Sequence, residues 1–224
     1  MRLLLYDYDI EIELQLDTPF CLCLESPTMY RTVVQELWNQ INGEPGSIIL
    51  SDNGKELQIS KCSELIINPY AITPNEKKLL NKLYQEMVMI AGEELYEATS
   101  EINSRIIEYI DTIIDRIPYP IDYEPELDVS SLAKAYKIRF DDSEEDAVSR
   151  LLSYCKLVHR VLGIECFIFA NLKQIMTANE LSSFYRELAY EHLYILDIEG
   201  PYSYKLKGER CTIIDNDESR IDLE

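Results

Sequence analysis

The stretch Cys166–Gly200, CFIFANLKQIMTANELSSFYRELAYEHLYILDIEG, holds two solid apolar runs with a helix signal between them. Cys166–Ala170 is apolar at consecutive positions, as suits a strand buried on both faces. Thr177-Ala-Asn-Glu180 sets a hydroxyl three residues before a carboxylate, the capping box in which each side chain satisfies a free backbone N–H at a helix start. Leu181, Phe184, Tyr185 and Leu188 follow at helical spacing, and Leu193–Ile198 repeats the character of the first run. Strand, crossover helix and strand in that order predict a βαβ element, hence an α/β domain whose mostly parallel sheet is flanked by helices.

Upstream, Phe20–Leu24 is apolar enough for a sheet interior, and Ser26 with Pro27 opens a helix whose buried stripe is Val33, Val34, Leu37 and Trp38. An α/β nucleotide-binding protein carries its phosphate loop at such a junction. That loop needs glycines for close backbone approach and a lysine for charge, in the order GxxxxGK[ST]. Glu25 and Pro27 stand there instead, one repelling phosphate and the other lacking an N–H, so ATP or GTP binding is not expected. Leu3–Leu5 and Ile10–Leu16 predict a half-exposed strand or hairpin, Ile48–Ile59 a hairpin turning at Asn53-Gly54, and Leu65–Ile67 a short strand.

From Thr73 the apolar period lengthens to that of a helix. Thr73-Pro-Asn-Glu76 reads as a second capping box, followed by a stripe of Leu79, Leu80, Leu83, Met87 and Ile90 and then one of Leu95, Ile102, Ile106, Ile110, Ile113 and Ile117. These predict an inserted helical leg over residues 71–137, with residues 1–70 and 138–224 forming the α/β head. Further expectations are a short helix over Val129–Tyr136, a strand at Ile138–Phe140, and a long helix capped by Ser143 and closed by Gly163. Tyr204–Lys207 is expected to pair with Cys211–Ile214, and the acidic tail to fray.

The net charge is −20, from 41 acidic and 21 basic residues, which disfavours loose whole-surface attraction to nucleic acid or anionic lipid. No apolar run approaches a membrane span and the start lacks a signal-peptide pattern, so a soluble, cytoplasmic chain with no membrane partner is expected. The six cysteines include no CxxC, and Cys21 and Cys23 share a strand face; buried free thiols are the simple expectation, with metal ligation disfavoured.

Catalytic signals are thin. His159 and His192 lie near no nucleophile motif, Ser26 and Ser203 lack the GxSxG elbow, and Asp197 sits at the end of a parallel strand, where an end-of-strand cap competes with a functional role. Between Ala91 and Asp128 there are eleven carboxylates against Arg105 and Arg116. Asp122, Glu124, Glu126 and Asp128 alternate, so an extended backbone would aim them to one side, toward an oxygen-rich calcium shell; a solvated acidic turn stands equally open. The spacing is not that of an EF-hand, since Leu127 and Ala133 fall where glycine and glutamate are needed. Basic residues group as Lys55 with Lys61, as Lys77, Lys78 and Lys82, and as Lys134, Lys137 and Arg139; lysine-bearing faces are commonly just solvated.

Leu24–Arg31, Ser51–Leu57, Leu65–Pro69, the helical insertion, Asp128–Phe140, Phe167–Lys173 and Leu196–Glu199 together resemble, in order and spacing, the small accessory protein of type II-A CRISPR systems required for spacer acquisition. The resemblance implies a degenerate P-loop ATPase-like head that has lost nucleotide binding, and a homotetrameric ring that holds double-stranded DNA ends in a lysine-lined hole without reading sequence. It implies Ca2+ near the return of the leg to the head, for which Asp122, Glu124, Glu126 and Asp128 are the candidates, and no catalysis. Lys55, Lys61, Lys77, Lys78, Lys82, Lys134 and Lys137 are the DNA-binding candidates, and phosphate contacts from a shared channel would reconcile an acidic exterior with DNA. Implied partners are the CRISPR adaptation integrase proteins and the RNA-guided effector nuclease. Two other readings compete: a metal-dependent nuclease or hydrolase using Glu25 and Asp197, and a protein-interaction scaffold independent of DNA.

Overall fold

The structure, a computed structural model, describes residues 1–144 and 146–223. It divides into two units, Met1–Thr73 with Ser143–Glu224, and Pro74–Asp142. The first unit opens with β1 (Arg2–Leu5), β2 (Ile10–Glu13), β3 (Phe20–Leu24), α1 (Pro27–Ile41), β4 (Ile48–Asp52), β5 (Lys55–Leu57), α2 (Ile59–Cys62) and β6 (Ser63–Ile66). The second contributes α3 (Lys77–Glu93), α4 (Tyr96–Ile114) and α5 (Val129–Ala135). The first then resumes with α6 (Ala147–Leu162), β7 (Cys166–Ala170), α7 (Ala178–Tyr190), β8 (Tyr194–Glu199), β9 (Arg210–Ile214) and β10 (Arg220–Leu223).

Six strands form one sheet in the order β10-β9-β3-β8-β7-β6, and every pairing in it is parallel except β10 with β9. Four others, β2-β1-β4-β5, form an antiparallel sheet. The β7–α7–β8 unit is the expected βαβ element, and the Thr177–Glu180 capping box is formed. β3 and β7 are buried at every position, which is what their unbroken apolar runs require. One face of the parallel sheet, with Leu22, Leu24, Ile168 and Ile198, joins α1 and the antiparallel sheet in a single core. On the other, Phe169 of β7 meets Phe184 of α7 edge to face at 5.5 Å. Burial of each such ring stabilises the unit by roughly 1.5–3 kcal/mol.

Several local expectations are corrected. Thr73–Glu76 does not form a capping box; α3 starts at Lys77, with Glu76 as N-cap and no side-chain cap bond. The Asn75 amide is engaged elsewhere, donating to the Phe140 carbonyl at 3.2 Å and accepting the Phe140 N–H at 3.0 Å. That clamp takes up backbone groups of Ile138–Phe140, which is not a strand. Asp146, not Ser143, caps α6, accepting the Ser149 N–H at 2.8 Å. Tyr204–Lys207 pairs with no strand; β9 instead pairs with β3 and with β10, so the tail up to Leu223 is ordered in the sheet. Trp38 is 51 % exposed, and Met29 takes its place in the buried stripe of α1.

The helical unit buries little of its apolar surface. Leu79 is the one buried residue of α3 and α4 has none, whereas Met89, Leu95, Tyr96, Ile102 and Tyr109 are exposed. Among the described residues no helix is long and apolar enough to cross a membrane.

Candidate functional site

On the α7 side of the parallel sheet, strand alternation places Asp197 and Glu199 of β8 on one face. Cys21 of β3 is in register with Asp197 on one flank and with Cys211 of β9 on the other, and Cys23 lies one pleat along. Just past the C-terminal end of β7, a 3-10 turn at Leu172–Gln174 aims Lys173 back into this group. Its Nζ donates to Glu209 Oε2 at 2.9 Å and to the Tyr204 carbonyl at 2.8 Å, and lies 3.3 Å from Cys21 Sγ. Its backbone N–H donates to Glu199 Oε1 at 2.7 Å. From α7, the Tyr185 hydroxyl donates to Asp197 Oδ2 at 2.9 Å.

Burial sets the electrostatics of this cluster. Desolvation, with the Glu199 charge added, pushes the Asp197 carboxyl well above the usual carboxylate range. Desolvation also raises Glu199 and Glu209, opposed for each by backbone N–H donation. Burial works to discharge Lys173, but the Cys21 sulfur and the Glu209 carboxylate more than offset it and hold the amine above its usual value. Hydrogen bonds from Cys21 and Cys23 pull the Cys211 thiol below the usual thiol range. Tyr30, whose hydroxyl accepts from Asn171 Nδ2 at 2.6 Å, is pushed up to about 12 by burial and by Glu199 and Asp197.

Asp197 is the only member of this cluster singled out in sequence for a chemical role, and it is fully buried beneath Tyr185. Lys173, Tyr185, Glu199, Glu209 and Cys211 were not. The available signal was a lysine three residues beyond a buried parallel strand, at the sheet edge where such folds gather polar groups. Glu25, the other acid of the hydrolase reading, lies in the β3–α1 loop, where its backbone N–H donates to the Ile214 carbonyl at 3.0 Å. Ser26 caps α1 and accepts the Met29 N–H at 3.4 Å, taking up one of the free N–H groups of the helix start.

In the helical unit, Asp122, Glu124, Glu126 and Asp128 are all exposed and do not converge as a three-ligand group. Asp122 Oδ1 accepts the Tyr123 N–H. Asp128 caps α5, taking the Ser130 N–H at 2.9 Å and the Ser131 hydroxyl, which together with Lys134 hold its carboxyl below the usual range. Glu126 and Asp128 share a groove with Thr99, Ser100 and Asn103.

All seven candidate lysines are exposed. Lys77, Lys78 and Lys82 lie in the first turns of α3, Lys78 beside Glu76 at 3.8 Å. Lys134 of α5 reaches over the Tyr84 ring of α3 at 5.7 Å, while Lys137 follows in the left-handed region at φ 55°. Lys55 lies on β5 and Lys61 in the last turn of α2, both in the first unit.

No curated protein matches the chain. The family model described as CRISPR-associated protein (Cas_Csn2) matches residues 40–218, from the end of α1 to the turn before β10, and the chain therefore belongs to this family of type II-A CRISPR systems.

Proposed function

We propose that the protein binds ends of linear double-stranded DNA without catalysis, as a homotetrameric ring that depends on Ca2+, and so supports spacer acquisition in type II-A CRISPR immunity. Membership of the Cas_Csn2 family carries this reading. The lysines of α3 and α5, exposed on one helical unit, supply phosphate contacts that need no sequence readout. The exposed apolar side chains of α3 and α4 favour assembly with further copies. Calcium would draw on the carboxylates of Asp122, Glu124, Glu126 and Asp128, with Glu126 and Asp128 nearest to a shared pocket. The head is a degenerate P-loop-type domain, a reading supported by the self-capped start of α1 and the Glu25-Ser-Pro27 loop. The work is cytoplasmic, alongside the adaptation integrase and the RNA-guided effector nuclease.

Burial of Asp197 under Tyr185 weighs against the hydrolase alternative. Gel shift of linear against closed circular duplex, in calcium and in chelator, tests the proposal. Retention of linear DNA alone, and only with calcium, is expected. Equal binding of both topologies would exclude a threaded ring, and binding of neither would leave the scaffold reading.

A further inference from the structure

We propose that Cys21, Cys23 and Cys211 form a binding site for a soft, thiolate-seeking metal ion. The three Sγ atoms all lie within 4.8 Å of one another, and those of Cys21 and Cys23 are 3.6 Å apart. A cation held by three thiolates at about 2.3 Å sets its sulfurs about 3.8–4.0 Å apart, so small χ1 adjustments suffice to close the site.

The backbone fixes this spacing. Cys21 and Cys23 project from one face of β3, and Cys211 stands in direct register with Cys21 on the neighbouring β9. Both strands lie inside the sheet, β3 between β9 and β8 and β9 between β10 and β3, so the ligands ride on rigid elements. Each cysteine is at most 3 % exposed, and Ile213 with the partly buried Leu223 packs against them.

The donor set selects the ion. Among the described residues no carboxylate or imidazole belongs to the group, which excludes Ca2+ and Mg2+ and leaves Cu(I) and Zn(II). Three sulfurs without a fourth ligand match trigonal Cu(I); structural Zn(II) takes four. The Lys173 ammonium, 3.3 Å from Cys21 Sγ and anchored by Glu209, offsets part of the negative charge of three thiolates and orients a ligand from outside the shell. Binding releases the thiol protons to solvent and leaves the valence of the ion unchanged. This site shares no residue with the proposed calcium ligands.

The test uses the full-length chain, purified reduced and metal-free. It is titrated anaerobically with Cu(I) against a chromophoric copper chelator, and separately with Zn2+ against a zinc indicator. The wild type is expected to withdraw one ion per chain. Cys23→Ser and Cys211→Ser should each weaken uptake by more than the roughly 10–100-fold that an outer-shell change costs, while Cys62→Ser, outside the group, leaves it unchanged. Circular dichroism establishes that each serine variant is folded, and the wild-type titration stands whether or not they are. Uptake of copper alone assigns Cu(I), and uptake of zinc alone assigns Zn(II). Uptake of neither by the wild type, or uptake untouched in both folded Cys23→Ser and Cys211→Ser, overturns the site.

Discussion

Lys173 Nζ and Glu209 Oε2 lie 2.9 Å apart, and both side chains are 1 % exposed. A buried pair of this kind is satisfied only while both partners remain, because removing one strands the other charge away from water. Lys173→Met is therefore expected to lower the unfolding free energy by about 3–5 kcal/mol, read from urea denaturation. Lys173→Met with Glu209→Leu should recover most of that loss. A double variant no more stable than the single would mean that Lys173 acts chiefly through Tyr204 and Cys21.

Asp197 gives a pH test of opposite sign to ordinary acid denaturation. Its folded pKa is raised, so the native state binds more protons than the unfolded chain. Its contribution to stability is full below the unfolded carboxylate pKa, about 3.9, and is lost as pH rises toward the folded value. Asp128, Asp146, Glu180 and Asp222 are shifted the other way, so the whole-protein curve mixes both signs. Subtracting it from that of Asp197→Asn isolates the effect. The variant should gain on the wild type as pH rises above about 4, and parallel curves would show that burial does not raise the Asp197 pKa in the fold.

The head was legible because its strands announce themselves locally. Cys166–Ala170 and Phe20–Leu24 are apolar without interruption, and Thr177 with Glu180 marks a helix start in four residues. The buried cluster was not legible, since it exists only through register. Nothing in sequence spacing puts Cys211 opposite Cys21, or brings Glu209 to Lys173 across a loop. The capping-box pattern misled at Thr73–Glu76, where Asn75 binds Phe140, and the alternating acids of Asp122–Asp128 gave no sign that the last of them caps α5. At Thr73–Glu76 a tertiary partner prevailed over the local pattern.

The double duty assigned to Asp128 separates calcium ligation from helix capping. Asparagine caps as well as aspartate but carries no charge. Asp128→Asn should keep most of the calcium-free melting temperature of the wild type, losing only what the ionised carboxylate adds, and should lose the rise that calcium produces. Asp128→Ala should melt lower even without calcium, because the Ser130 N–H and the Ser131 hydroxyl lose their acceptor. A calcium response intact in Asp128→Asn would remove this residue from the proposed shell.

The lysines are separable by salt. A lysine that touches a DNA phosphate releases a condensed counterion, so its loss lowers the slope of log affinity against log salt by about 0.9 for each copy in the ring that makes the contact, on any sequence. Lys77→Gln and Lys134→Gln, on α3 and α5 of one helical unit, are expected to weaken DNA retention in this way, and the double variant to lower the slope by about twice as much. Lys134→Gln also withdraws the cation from the Tyr84 ring, a contact worth only about 0.5–1 kcal/mol when exposed, so the fold should survive. Lys55→Gln and Lys61→Gln report in the same way from the first unit, and Lys78, Lys82 and Lys137 complete the set. If replacing all seven left the slope unchanged, the phosphate-contact reading would fail and the acidic exterior would point to a basic protein partner instead.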